Sequence, residues 1–143
     1  MTQQEQQHLK QKSYAEAMRY MANAKDYLKT AGKDERDESH YKDKKYVRTA
    51  CGTAYNGVLE ALTTYLRLKN PSAFETNERK TIDFYRRHLA KDNKKILNAL
   101  ESAYRTLHIS GYYEGEEDSK IIKHGFQRAK EIINLIKPVG AAQ

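Results

Sequence analysis

Residues 41–68 read YKDKKYVRTACGTAYNGVLEALTTYLRL, and this stretch decides the fold class. It contains no proline, and small residues recur along it in helical steps at Ala50, Ala54, Gly57 and Ala61. Larger apolar side chains follow the same period, so the stretch predicts one long helix with a single buried face. Small residues on that face allow a neighbouring helix to approach closely, which indicates a helical bundle.

Similar apolar stripes occur on both sides of this stretch, separated by residues that break helices. A first helix is predicted from Ser13 to about Ala31, and Gly32 is placed to end it. The long second helix is predicted to end near Lys69, because Pro71 disfavours helical geometry in the residue before it.

The third helical region begins near residue 78, and the pair Asp92-Asn93 interrupts its apolar stripe. The interruption is either a kink in one helix or the cap of a separate one. We favour two pieces, residues 78–90 and 93–109.

A last helix is predicted to begin at a cap formed by Ser119. Short connections favour antiparallel neighbours, so the predicted fold is all-α, an up-and-down antiparallel four-helix bundle with a kinked or split third helix. The length of the chain predicts a single domain over residues 1–143. Its core is expected at about 13–136, with flexible ends at 1–12 and 138–143.

Composition disfavours several classes of protein. The single cysteine, Cys51, cannot form an intrachain disulfide, and its place on the apolar face favours a packing role over a nucleophilic one. The N-terminus lacks the apolar segment of a signal peptide, and no apolar run approaches the roughly 20 residues of a membrane span. We therefore expect a cytoplasmic protein without membrane contact.

The net charge of +7 is concentrated in residues 41–110, which carry fourteen basic and seven acidic side chains. One interpretation is a solvated surface that aids solubility. The other is a face that binds nucleic acid or another polyanion.

Five basic residues are the candidates for nucleic-acid binding under the second interpretation. Helical spacing places most of them opposite the apolar stripe, and tyrosines lie near them in sequence, as in proteins that stack bases beside phosphate contacts. The same pattern is also the ordinary outer face of a bundle helix. The candidates are Arg86, Arg87, Lys91, Lys94 and Lys95.

The segment YRTLH, residues 104–108, contains the best catalytic candidates, Arg105 and His108. They are three positions apart, with two residues between them, so an α-helix would place them on one side. An arginine can hold a phosphate by paired hydrogen bonds, and a histidine can move protons near neutral pH. The simpler interpretation is a solvated Arg105 and a His108 that caps the helix end.

Patterns for metal or cofactor binding are missing from the sequence. There is no paired Cys-x-x-Cys, no His-Glu-x-x-His, no glycine-rich phosphate loop and no pair of helices with Glu-x-x-His. We therefore expect no metal site and no cofactor, and we lean toward a protein without enzymatic activity.

Three segments together resemble the HEPN-type helical bundles, and in outline a small uncharacterised bacterial family related to them. These are AEAMRYMANAKDYL (15–28), YKDKKYVRTACGTAYNGVLEALTTYL (41–66) and RTLH (105–108), and the resemblance covers roughly residues 13–136. It implies a four-helix bundle that often dimerises. Several such proteins are metal-independent ribonucleases, and others accompany nucleotidyltransferases in toxin–antitoxin pairs.

The catalytic signature of that family places the histidine farther from the arginine than His108 stands from Arg105. The resemblance therefore carries the pair over only as a degenerate motif, and it implies a relative that serves as a binding or scaffold module. The expected function is a non-catalytic interaction module that pairs with a second copy or with another protein. The alternative is an RNA-binding protein or ribonuclease of toxin–antitoxin type.

Overall fold

The protein is all-α in the computed structural model, which describes residues 1–140. Within residues 1–140, five α-helices follow one another, with a π-helix between the fourth and the fifth and two short 3-10 segments. The predicted flexible end at 138–143 lies partly outside the described residues, since 141–143 are not among them. The helices are α1 (Gln3–Ala31), α2 (Lys44–Lys69), α3 (Ile82–Asp92), α4 (Lys94–Ala103), the π-helix (Tyr104–Tyr113) and α5 (Ser119–Ile133), and the 3-10 segments are Pro71–Phe74 and Asn134–Ile136.

Helix α1 begins well before Ser13, where the sequence predicted its start. The hydroxyl of Thr2 accepts a hydrogen bond from the amide of Glu5 at 3.1 Å, and the carboxylate of Glu5 accepts one from the amide of Thr2. This reciprocal capping box satisfies two backbone donors that would otherwise lack partners. The helix ends at Gly32, as predicted, with a positive φ of 67°.

The third helical region is split, as favoured above. Helix α3 ends at Asp92, and the side chain of Asn93 caps α4 by accepting a hydrogen bond from the amide of Ile96 at 3.1 Å. The break is tied to α2, because the hydroxyl of Tyr65 donates to Asp92 at 2.5 Å. Helical structure then continues to Tyr113, beyond the predicted end at 109.

Helices α1 and α2 pack along each other, and α2 also contacts α5 and the π-helix. The predicted close approach is confirmed at Gly57, where a Cβ would stand 3.2 Å from the carbonyl oxygen of Ala17 in α1. Val58, Leu100 and Ile132 are fully buried, as the stripes predicted. Apolar side chains from all the long helices therefore share one core.

Residues 1–140 contain no β-strand, only two isolated β-bridges between loops. Lys33 pairs with Tyr41 across the α1–α2 connection, and His40 pairs with Asp118 just before α5. The side chain of Asp118 caps α5 by accepting from the amide of Lys120, so the cap is Asp118 and not Ser119 as predicted. These bridges place the start of α5 beside the α1–α2 connection. No helix in the described part of the chain combines the length and apolar character needed to cross a membrane.

Candidate functional site

The π-helix is the most unusual local structure in the molecule. Its hydrogen bonds run to the fifth residue along, a geometry that is rare and frequent at functional sites. Within it the hydroxyl of Thr106 donates to the carbonyl oxygen of Ser102 at 2.8 Å, which occupies an acceptor of the preceding turn. The segment covers both predicted catalytic residues, so its geometry decides how they are presented.

Glycines allow the π-helix to lie close to its neighbours. A Cβ on Gly111 would stand 2.6 Å from the Cβ of Cys51 in α2, so no larger residue fits there without a shift. A Cβ on Gly125 of α5 would stand 2.5 Å from the hydroxyl oxygen of Thr106. The π-helix is therefore packed tightly against α2 on one side and α5 on the other.

The ring of His108 lies among four tyrosine rings, and we call these five residues the tyrosine cluster. Residues four and five apart lie above one another when hydrogen bonds run to the fifth residue, which aligns positions 104, 108, 112 and 113. Ring centroids lie 4.8 Å from His108 for Tyr55 of α2, 5.3 Å for Tyr104, 6.0 Å for Tyr112 and 5.0 Å for Tyr113.

Burial disfavours the charged forms of two residues in the tyrosine cluster, His108 and Tyr55. It lowers the pKa of His108, so the neutral imidazole is favoured at pH 7. Burial, followed by the neighbouring Tyr104, raises the pKa of Tyr55, which is 7% exposed. Burial thus favours the uncharged forms of His108 and Tyr55, which suits this pair for apolar and stacking contacts rather than for holding an anion.

A shallow depression of about 470 Å³ lies beside the cluster, between α2 and the π-helix. Its lining includes Gly52, Asn56, Leu59, His108 and Tyr112. The absence of a side chain at Gly52 leaves room for the ring of Tyr112, whose Cδ1 would stand 3.0 Å from a Cβ there. The lining thus combines apolar and aromatic side chains with the amide of Asn56 and the hydroxyl groups of Thr49 and Thr53.

Arg105 does not share the surroundings of His108. Arg105 is exposed, whereas His108 is partly buried and makes ring contacts only with tyrosines. The expectation that the two lie on one side rested on α-helical spacing, and in a π-helix residues three apart no longer stack. The interpretation of His108 as a cap is wrong, because the helix continues to Tyr113.

Two of the five predicted nucleic-acid-binding residues are held in ion pairs. Arg86 bonds Glu101 at 2.8 Å and Asp83 at 3.2 Å, which raises its pKa, and its guanidinium lies 5.1 Å from the ring centre of Tyr104. Arg87 bonds both carboxylate oxygens of Glu78. Each arginine keeps N–H donors that these bonds do not use, but the carboxylates beside it weaken its attraction for a phosphate.

The remaining three, Lys91, Lys94 and Lys95, are exposed, and no ion pair holds them within residues 1–140. They do not form one ladder, because the chain breaks at Asn93 and places Lys91 on α3 and the other two on α4. Among the described residues no cluster of three His, Cys, Asp or Glu side chains is arranged to hold a metal ion.

Sequence reasoning found part of the site and missed the rest. The sequence predicted candidate residues in the segment that begins at Tyr104, but it did not identify Tyr55, whose ring stacks on that of His108. The spacing of four residues from Tyr104 to His108 and from His108 to Tyr112 was the available signal. The π-helical register that brings these rings together is not visible in the order of residues.

Comparisons with known proteins place the chain in a family without assigning an activity. The family model described as "Domain of unknown function (DUF5618)" matches residues 12–138. Among solved structures, a protein of unknown function from Dyadobacter fermentans is similar to this chain at 40% identity and a TM-score of 0.75, covering 89% of this chain and 94% of its own. A comparison with curated proteins found no match.

Proposed function

This chain belongs to the DUF5618 family, and we propose that it is a non-catalytic interaction module that forms a homodimer through the tyrosine cluster. In this proposal it is a cytoplasmic HEPN-like protein that needs no cofactor. The helices act as four bundle members running up and down, with α3, α4 and the π-helix together as the third.

One observation carries the proposal: two large tyrosine rings remain exposed beside a depression that is itself lined partly by aromatic and aliphatic side chains. Tyr112 is 46% exposed and Tyr113 is 61% exposed, and they are adjacent on the π-helix. Tyrosine is enriched in interfaces because it buries a large ring at a low cost in side-chain entropy. In a two-fold pair the same patch contacts itself, so the tyrosines of one protomer would cover the depression of its partner.

Light scattering at micromolar concentration tests the homodimer, with an expected mass of about twice the 16.6 kDa of one chain. Tyr113→Glu and Asn56→Glu each place a charge in the proposed interface and should give the monomer mass. Tyr27→Glu is the matched control, since Tyr27 is also an exposed tyrosine, at 37%, but lies on α1. A wild-type mass of 16.6 kDa would reject the homodimer.

The alternative is an RNA-directed protein of toxin–antitoxin type, which either binds or cleaves RNA. The observation that favours it is again the exposed Tyr112 and Tyr113, because bases stack on such rings. Arg105 and the exposed lysines Lys94 and Lys95 would then hold the phosphates.

Labelled single-stranded RNA separates the two functions. A complex held by phosphates weakens steeply as salt is raised, whereas the homodimer proposal expects no complex even at low salt. If RNA is cleaved, Arg105→Ala and His108→Ala should each abolish the activity. Cleavage that survives both substitutions would exclude these residues from catalysis.

A further inference from the structure

A second depression, of about 480 Å³, lies between one face of α1 and one face of α5. We call it the lysine groove. Its residues on α1 recur at positions 18, 21, 25 and 28, and those on α5 at 120, 123, 127 and 130, so each helix contributes one side. Tyr41 and Lys33 line it from the α1–α2 connection. None of these residues lines the depression beside the tyrosine cluster.

The floor of the lysine groove is apolar. It consists of long, flexible or aromatic side chains from three parts of the chain, which are largely buried yet still reach the groove. Thioethers on unbranched chains adapt to ligands of different shape. The floor residues are Met18, Met21, Leu28, Tyr41 and Phe126.

The rim of the groove carries only positive charge. Five exposed lysines line it, and no aspartate or glutamate is among its lining residues. Within residues 1–140 none of the five forms an ion pair, although Lys33 holds its ammonium 4.2 Å from the ring centre of Tyr41. The lysines are Lys25, Lys33, Lys120, Lys123 and Lys130.

We propose that the lysine groove binds an amphipathic anion: a single alkyl chain that ends in a carboxylate or phosphate group. The apolar floor would cover the chain, and the lysine rim would hold the anionic head without breaking any ion pair among the described residues. The size is typical of small-molecule sites, which measure roughly 300–1,000 Å³. A smaller depression of about 260 Å³ adjoins it and shares Lys25, Leu28, Lys33 and Tyr41, which extends the path for the chain.

Both halves of the groove are needed for this assignment. A polyanion without an apolar part would use the rim but leave the floor exposed, and a neutral alkyl chain would use the floor but leave the lysines unpaired. An acidic amphipathic helix of another protein is the rival occupant, and the experiment below distinguishes it.

Methionine methyl NMR is the direct test, because the chain has three methionines. The probes are dodecanoate and dodecyl phosphate below their micelle concentrations. Each should shift the methyl signals of Met18 and Met21 in a saturable way and leave that of Met1 unchanged. Dodecanol and inorganic phosphate, which supply only one half of the chemistry, should shift them at least about tenfold more weakly at equal concentration.

Charge reversal at the rim tests the electrostatic half. Lys120→Glu with Lys123→Glu should raise the Kd for dodecanoate by about tenfold or more, since two attractions become repulsions. Lys94→Glu with Lys95→Glu is the matched control, because it makes the same change in net charge on α4, outside the groove, and should leave the Kd within about twofold.

Three results would overturn the assignment. The first is the absence of saturable shifts at Met18 and Met21 with either anion. The second is an equal rise in the Kd for dodecanoate in the Lys120→Glu, Lys123→Glu variant and in the Lys94→Glu, Lys95→Glu variant. The third is a shift produced by an acidic amphipathic peptide when neither alkyl anion produces one, which would assign the groove to a protein partner.

Discussion

Gly111 of the π-helix and Cys51 of α2 lie in direct backbone-to-side-chain contact. A Cβ on residue 111 would stand 2.6 Å from the Cβ of Cys51 and closer still to its sulfur. The first of these atoms is fixed to the helix backbone, so a small rotation of the cysteine side chain cannot relieve the clash. This contact fixes the distance between the π-helix and α2.

Gly111→Ala should therefore lower the free energy of unfolding by about 1–3 kcal/mol, as overpacking does, despite the better helix propensity of alanine. Gly52→Ala is the control at the same interface. A Cβ there would meet the ring of Tyr112 at 3.0 Å, and that ring is 46% exposed and can move outward. Urea unfolding of both variants checks the difference, and equal stabilities would show that the Gly111 contact is not tight.

The thiol of Cys51 should report on unfolding. Burial raises its pKa to about 12 from an ordinary 9.0, and its side chain is fully buried. At pH 8 the folded protein should thus hold on the order of a thousandfold less thiolate than an unfolded chain. Alkylation by iodoacetamide, followed by mass spectrometry, should be slow in the native state and faster in Gly111→Ala. Rapid labelling of the native wild-type protein would contradict this packing.

The stability of the fold should decrease in mildly acidic solution. Burial lowers the pKa of His108, and burial with the nearby Arg87 lowers that of His88. As pH falls below about 6.5, the unfolded chain binds more protons than the folded one, so the free energy of unfolding decreases. The stability associated with these two histidines is fully retained above that pH.

His108→Phe keeps an aromatic ring in the tyrosine cluster but removes its titration. Thermal or urea unfolding between pH 7 and pH 5 should therefore show a smaller loss of stability for this variant than for the wild type, with the remainder due to His88. An unchanged pH dependence would show that His108 is protonated as easily in the folded state as in the unfolded chain.

Asn93→Ala should lower the free energy of unfolding by about 1 kcal/mol, because it removes the cap of α4. Asn98→Ala is the matched control, since Asn98 is an exposed residue within the same helix, where alanine is favourable. Thermal unfolding of the two variants should rank Asn93→Ala clearly lower. Equal melting temperatures would mean that α4 does not depend on this cap.

The sequence was sufficient for features that depend on local chemistry. The apolar stripes identified the buried faces of Val58, Leu100 and Ile132, and Asp92-Asn93 marked the break between α3 and α4. The extension of α1 was also readable, because Thr2 and Glu5 have the spacing of a capping box, although the polar composition of residues 1–12 predicts a flexible end.

Features that depend on tertiary packing were not readable. The π-helix replaces the expected α-helical register and separates Arg105 from His108, and it depends on the contacts of Gly111 and Gly125 with other helices. Predicting the lysine groove requires knowing that Met21 of α1 and Phe126 of α5 line the same depression. An apolar stripe on one helix does not reveal which other helix lies opposite it.

The alignment of rings along residues 104–113 depends on counting as much as on chemistry. In an ordinary α-helix positions 104, 108 and 112 would still share a face, but Tyr113, five residues after His108, would point elsewhere, so deleting a single residue there would take Tyr113 out of the alignment while leaving composition almost untouched. A change of one residue in length would thus remove one ring from this surface without substituting any of its members.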